Sequence, residues 1–92
     1  MRIDWTQSAA SDLRRLHSFL EVAAPEAAVR VIRQLVSAPE RLLAYPRLGE
    51  RLDAYEPREV RRLIVGRYEM RYEVIDGAVV ILRVWHSRED KR

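Results

Sequence analysis

The segment Val84-Trp85-His86-Ser87-Arg88 gathers the most reactive side chains of the sequence within a few residues. A histidine moves protons near neutral pH. Arg61, Arg62, Arg71, Arg83 and Arg88 carry permanent planar cations that match phosphate or carboxylate oxygens. Together they could hold a phosphate and transfer a proton beside it. Each also has a plainer reading. A histidine just past a strand is commonly a hydrogen-bonded structural residue, and Arg83 and Arg88 could be ion-paired at the surface. Trp85 could pack at the end of a sheet, whereas an exposed Trp85 beside arginines would suit stacking or an interface. His86 makes a poor metal ligand, because the other histidine, His17, lies on the distant first helix and cysteine is absent. The sequence also lacks a Gly-rich phosphate loop, a glycosidase carboxylate pair and a Ser/His/Asp set. Neither metal nor cofactor is expected.

These residues must be positioned by a short chain. Arg2–Trp5 reads as a strand, with Ile3 and Trp5 on one side. Thr6 can cap a helix over 7–22, whose apolar stripe is Ala9, Leu13, Leu16, Leu20 and Ala23. Asp12, Arg14, Arg15 and Ser18 are expected to face away. A second helix begins near Pro25, with Ala28, Ile32, Leu35 and Val36 as its stripe. Pro39 ends or kinks it. The Ser37 to Glu40 spacing suits a capping box, from which a short turn carries Leu42 and Leu43. Two helices joined so closely form an antiparallel hairpin. Residues 45–57, with Pro46, Gly49 and Pro57, read as an irregular connection.

The period then becomes two. Residues 58–65 form a strand, Gly66 and Arg67 turn, and Tyr68, Met70, Tyr72 and Val74 alternate with Glu69, Arg71 and Glu73. Asp76-Gly77 signals a hairpin, and residues 79–85 return as the last strand. A three-residue loop of Ile75, Asp76 and Gly77 would align Val80, Leu82 and Val84 with Met70, Tyr72 and Val74. Glu69 would then sit across from Arg83. A two-residue loop would drive Arg83 towards the core, so the longer loop is expected because it buries no unpaired charge. The expected fold is α+β, with an N-terminal strand and a helical hairpin on one face of a small, mostly antiparallel four-stranded sheet. The opposite face is polar and rich in arginine.

Ninety-two residues suit a single domain spanning 1–92, with a core small enough to lean on a partner. With 48% apolar residues the chain is not a disordered segment, and it has no apolar run of membrane-spanning length. The acidic residue at position 4 does not suit a signal peptide, so a cytoplasmic location and no membrane partner are expected. Residues 1–57 hold eight arginines and eight acids. Residues 58–92 hold eight arginines and Lys91 against six acids, which supplies the whole net charge of +3. Excess charge in one stretch can steer an anionic partner. Sixteen arginines to one lysine is also what a GC-rich genome encodes without any functional cause.

The chain resembles the RelE/ParE toxin superfamily along nearly its whole length. The resemblance rests on Trp5-Thr6 with Ala9-x-x-Asp12-Leu13, on Pro46-x-x-Gly49, on Arg58-Glu59, and on the ending that runs from Ile81 to Asp90. The pattern His86-x-Arg88-x-Asp90 is closer to the ParE branch than to the RelE branch. The resemblance implies the toxin of a type II toxin–antitoxin pair. It also implies a cognate antitoxin whose helix and extended strand wrap the hairpin and the sheet in a hetero-oligomer. Arg14, Arg15, Arg30 and Arg33, on the outer helix faces, are the candidate antitoxin contacts.

The superfamily implies two targets. ParE-like members poison DNA gyrase by binding, and RelE-like members cut messenger RNA on the ribosome. Cutting RNA through its own 2′-hydroxyl needs a group to deprotonate that hydroxyl, cations for the phosphate and a proton donor for the leaving oxygen. His86 with Arg61, Arg83 or Arg88 is the candidate set here. The lysine cluster of the RelE branch has no counterpart, Glu69 stands where that branch has arginine, and its C-terminal tyrosine is missing. Gyrase binding through Arg71, Arg83, Trp85, His86 and Arg88 is therefore the expectation. A ribosome-dependent endonuclease and an inactive interaction module with the same fold are the alternatives.

Overall fold

The computed structural model describes residues 1–89; Asp90, Lys91 and Arg92 lie outside the described residues. Strand β1 (Arg2–Trp5) leads into helix α1 (Gln7–Ala23), and Ala24 alone separates it from helix α2 (Pro25–Ser37). A 3-10 turn (Ala38–Glu40) and a short helix α3 (Arg41–Ala44) follow. Then come β2 (Glu50–Arg51), a 3-10 turn (Asp53–Tyr55), β3 (Val60–Val65), β4 (Tyr68–Ile75) and β5 (Ala78–His86). The sheet order is β1-β5-β4-β3-β2, with β1 parallel to β5 and every other pair antiparallel.

Thr6 starts α1 as its type suggests. Its hydroxyl accepts from the Ala9 amide at 3.0 Å and donates to the Leu82 carbonyl at 2.9 Å, so one side chain ties the helix start to the last strand. Ala9, Leu16, Leu35, Ala38 and Leu42 pack onto Leu63, Met70, Tyr72, Val79, Ile81 and Val84 of the sheet. Burying this face supplies most of the driving force for folding.

Four expectations need correcting. Asp12 does not face away; it is 4% exposed. Val36 and Leu43 are exposed, because α2 and α3 turn only one stripe inward. No side-chain cap forms at Ser37, whose hydroxyl instead donates to the Gln34 carbonyl, and the chain restarts as a 3-10 turn through Pro39. The sheet has five strands, since Glu50 and Arg51 pair with Arg62 and Arg61 inside the segment expected to be irregular. A two-residue strand is too short for periodicity to reveal.

The β4–β5 register is the most instructive difference. The loop is Asp76-Gly77, both with positive φ (50° and 71°), the tight turn that aspartate and glycine favour. Val79 and Ile81 consequently face the core in place of Val80 and Leu82. Tyr72 pairs with Ile81 but Arg71 with Arg83, so Leu82 is an extra residue, a β-bulge. The bulge returns Val84 to the core and Arg83 to the polar face. Glu69 therefore lies across from Trp85, not Arg83.

The Pro46-x-x-Gly49 turn is anchored by Tyr72. Its buried hydroxyl accepts from the Gly49 amide at 2.9 Å and donates to the Pro46 carbonyl at 2.8 Å. Burial raises the phenol pKa above its ordinary value, which keeps the proton in place for that donation. Tyr72→Phe should cost about 1–3 kcal/mol, because it leaves a buried donor without its partner. Urea unfolding measures this, and an unchanged midpoint would refute the anchoring role.

Candidate functional site

Alternation along β5 divides the ending between two sides of the sheet. Trp85 and Arg83 lie on the polar face. Val84 and His86 lie on the side covered by helices, where His86 meets Tyr68 edge-to-face with ring centroids 5.2 Å apart.

On the polar face Trp85 is buried, only 4% exposed. The guanidinium groups of Arg71 and Arg83 lie over its ring at 4.8 and 4.9 Å. Each arginine is also tied to an acid. Arg71 donates to Glu69 at 2.9 Å and to the Tyr55 hydroxyl at 2.8 Å. Arg83 grips Asp12 with two hydrogen bonds of 2.8 and 3.1 Å. Arg58 grips Glu73 in the same forked way at 2.8 and 3.2 Å. Glu69 and Glu73 are buried beneath these cations. The arginine-rich face is thus a lattice of internal ion pairs, with its tryptophan covered.

Asp12 organises the junction of α1 with β5. Strand β1 pairs with β5 only as far as Ile81, which leaves the next part of that edge without a strand. Asp12 fills the place by accepting from the Val84 amide at 2.8 Å, and Arg15 donates to Asp12 at 3.2 Å. Burial alone would raise the Asp12 pKa. The hydrogen bonds from Arg83, Val84 and Arg15 outweigh it and hold the carboxyl below its ordinary value. In return, the hydrogen bond to Asp12 keeps Arg83 firmly charged.

The His86 side is built differently. The His86 amide donates to Glu89 at 2.8 Å, and Glu89 also pairs with Arg15. The Arg88 amide donates to His86 Nδ1 at 3.1 Å, so a neutral ring carries its proton on Nε2. Beside this turn lies a groove of about 650 Å³ lined by Leu16, Phe19, Leu20 and Tyr68. Arg67 and Arg88 stand at its rim. Arg61 is elsewhere, half-buried at the β2 end, where it donates to Glu59 at 2.9 Å and to the Gly49 carbonyl at 2.8 Å.

The expected sets are therefore only partly assembled. Arg71, Arg83 and Trp85 meet, and His86 meets Arg88, but on opposite sides of the sheet. His86, Arg83 and Arg61 do not converge. Arg14, Arg15, Arg30 and Arg33 are all exposed, and Arg15 is in addition engaged by Asp12 and Glu89. Among the described residues no group of acids and histidines could hold a metal ion, and no helix is long and apolar enough to cross a membrane. Asp12, Glu89, Arg67 and Tyr68 were missed as site residues. For Asp12 a signal existed: positions 9, 12 and 16 follow the helical three-and-four spacing, which puts the acid on the apolar stripe.

A family model for the ParE toxin of the type II toxin–antitoxin system parDE matches residues 3–91. The chain belongs to the ParE toxin family. ParE-family and RelE-named proteins meet in its neighbours. Toxin RelE2 of Caulobacter vibrioides is 35% identical over 86 residues, covering 94% of both chains. Toxin RelE3 of the same organism is 36% identical over 85 residues, covering 88% of both. The chromosomal ParDE toxin–antitoxin system of P. aeruginosa contains a chain that superposes with a TM-score of 0.79 at 25% identity, over 94% of this chain and 95% of that one. The isolated E. coli RelE toxin shares the fold, with a TM-score of 0.63 at 22% identity over 97% of this chain and 86% of that one. The ParE match includes the ending from Ile81, which the sheet divides between its two faces.

Proposed function

We propose that this ParE-family toxin arrests growth by binding DNA gyrase, and that a cognate antitoxin neutralises it by wrapping the hairpin and sheet. The observation that carries this reading is the separation of His86, Arg83 and Arg61. Cleavage of RNA needs a proton-transfer group and phosphate-binding cations around one scissile bond. Here Arg83 faces away from His86 and is neutralised by Asp12, and Arg61 is held by Glu59 at the far edge. A protein that acts by binding needs no such convergence. The ParDE system from P. aeruginosa, which shares this fold, supports an antitoxin partner. Exposed Arg14, Arg30 and Arg33 suit an acidic antitoxin segment.

Purified toxin should inhibit gyrase-catalysed supercoiling or trap gyrase on cleaved DNA, and the antitoxin should reverse it. Neither effect at large toxin excess would refute the gyrase reading. One observation favours a second reading: His86, Arg67 and Arg88 share one groove, and the curated relatives carry RelE names. Primer extension on messenger RNA from expressing cells would then show cuts within codons that disappear in His86→Ala. Normal growth on expression without antitoxin would leave only an inactive interaction module.

A further inference from the structure

The groove between α1 and the β5 ending is a large apolar recess that holds two arginines not used up internally. Phe19, on its wall, is 75% exposed, a large apolar side chain left in solvent on α1. The floor is aliphatic and aromatic, which suits a large apolar side chain. The rim carries Arg15, Arg67 and Arg88 against one acid, Glu89. Arg15 is neutralised by Asp12 and Glu89. Among the described residues Arg67 and Arg88 have no carboxylate partner, unlike Arg58, Arg61, Arg62, Arg71 and Arg83.

From this juxtaposition we infer that the groove is a docking site for the toxin's target protein. It receives an amphipathic helix that buries a large apolar side chain against Phe19, Leu20 and Tyr68. Carboxylates on the flank of that helix meet Arg67 and Arg88. A helix supplies this combination, because residues three and four apart share a face. The target is assigned rather than the antitoxin because the groove contains His86 and Arg88 of the ending. Arg30 and Arg33, expected to meet the antitoxin, line a separate recess on α2, and Arg15, the one such residue beside this groove, is already held by Asp12 and Glu89. The inference rests on the toxin reading and gives it a surface.

The test uses the full-length toxin with Phe19→Glu and with the double charge reversal Arg67→Glu/Arg88→Glu. All three positions are exposed, so both variants should fold, which their circular dichroism melting curves check. Growth arrest is titrated by inducer without antitoxin, and antitoxin affinity is measured by calorimetry. Each variant should need at least about tenfold more toxin for the same arrest, as expected when an interface anchor is removed, with antitoxin Kd changed by less than about twofold. Undiminished arrest by either variant would overturn the inference. So would an equal loss of antitoxin affinity, which would make the groove the antitoxin's. A wild-type chain that arrests nothing would instead refute the toxin reading itself.

Discussion

Replacing Asp12 with alanine should destabilise the protein by about 3 kcal/mol, the lower end of the loss incurred when one partner of a buried charge pair is removed. The lower end applies because the Arg83 side chain is 38% exposed and can turn its charge towards water. The Val84 amide has no such escape and is left without its acceptor. Asp12→Asn keeps an oxygen for that amide and should cost less than alanine. The network also dictates an acid dependence. The Asp12 pKa in the folded state lies below its ordinary value of 3.8, so its contribution is present above that value and is lost as the pH falls through the lower folded one. Urea midpoints of the wild type should therefore fall more steeply than those of Asp12→Asn below about pH 4. An alanine variant within about 0.5 kcal/mol of wild type, the range of ordinary surface substitutions, would show that the network is incidental.

Gly49→Ala should be similarly damaging, for a steric reason. A methyl group at Gly49 would lie 2.4 Å from the Arg62 carbonyl oxygen and 2.9 Å from the Tyr72 ring. The oxygen belongs to a strand, so it cannot swing aside as a flexible side chain would. Overpacking of this kind costs about 1–3 kcal/mol, and here the upper part of that range is expected, since the clash also separates the Gly49 amide from the Tyr72 hydroxyl. Thermal unfolding measures the loss. A melting temperature unchanged from wild type would mean that the turn has room to move, against so close an approach of Gly49 to the strand.

Much of this architecture could be read from local chemistry. Thr6, Pro25 and Asp76-Gly77 mark their elements because caps and turns depend on nearby residues alone. Asp12 was misjudged because its partners, Arg83 and Val84, lie some seventy residues away along the chain. Charge suggested solvent, although its helical position suggested the core, and the position was right. The β4–β5 register failed differently. Turn chemistry favoured a two-residue loop and charge burial favoured a longer one. The bulge at Leu82 satisfies both, and nothing in the local pattern announces a bulge. The candidate site escaped most of that error, because the bulge restores Arg83 and Val84 to the faces the longer loop implied; only the residue across from Glu69 changes, from Arg83 to Trp85. Trp85 was legible as either packing or platform, and the two arginines over its ring explain why it packs.

The parallel pairing of β1 with β5 also governs when the protein comes into being. Strand β1 has no strand beside it until β5 has been made, and the Thr6 hydroxyl waits for a carbonyl 76 residues further on. Ends that meet so late make for slow closure, because a long loop of chain must be ordered before its contacts reward it. Asp12, too, has no Arg83 to hold until the final strand arrives. A nascent chain thus carries the residues of the helical hairpin before it carries the strands on which that hairpin packs. The residues expected to meet the antitoxin are made early, and those that β5 gives to the His86 groove are made late.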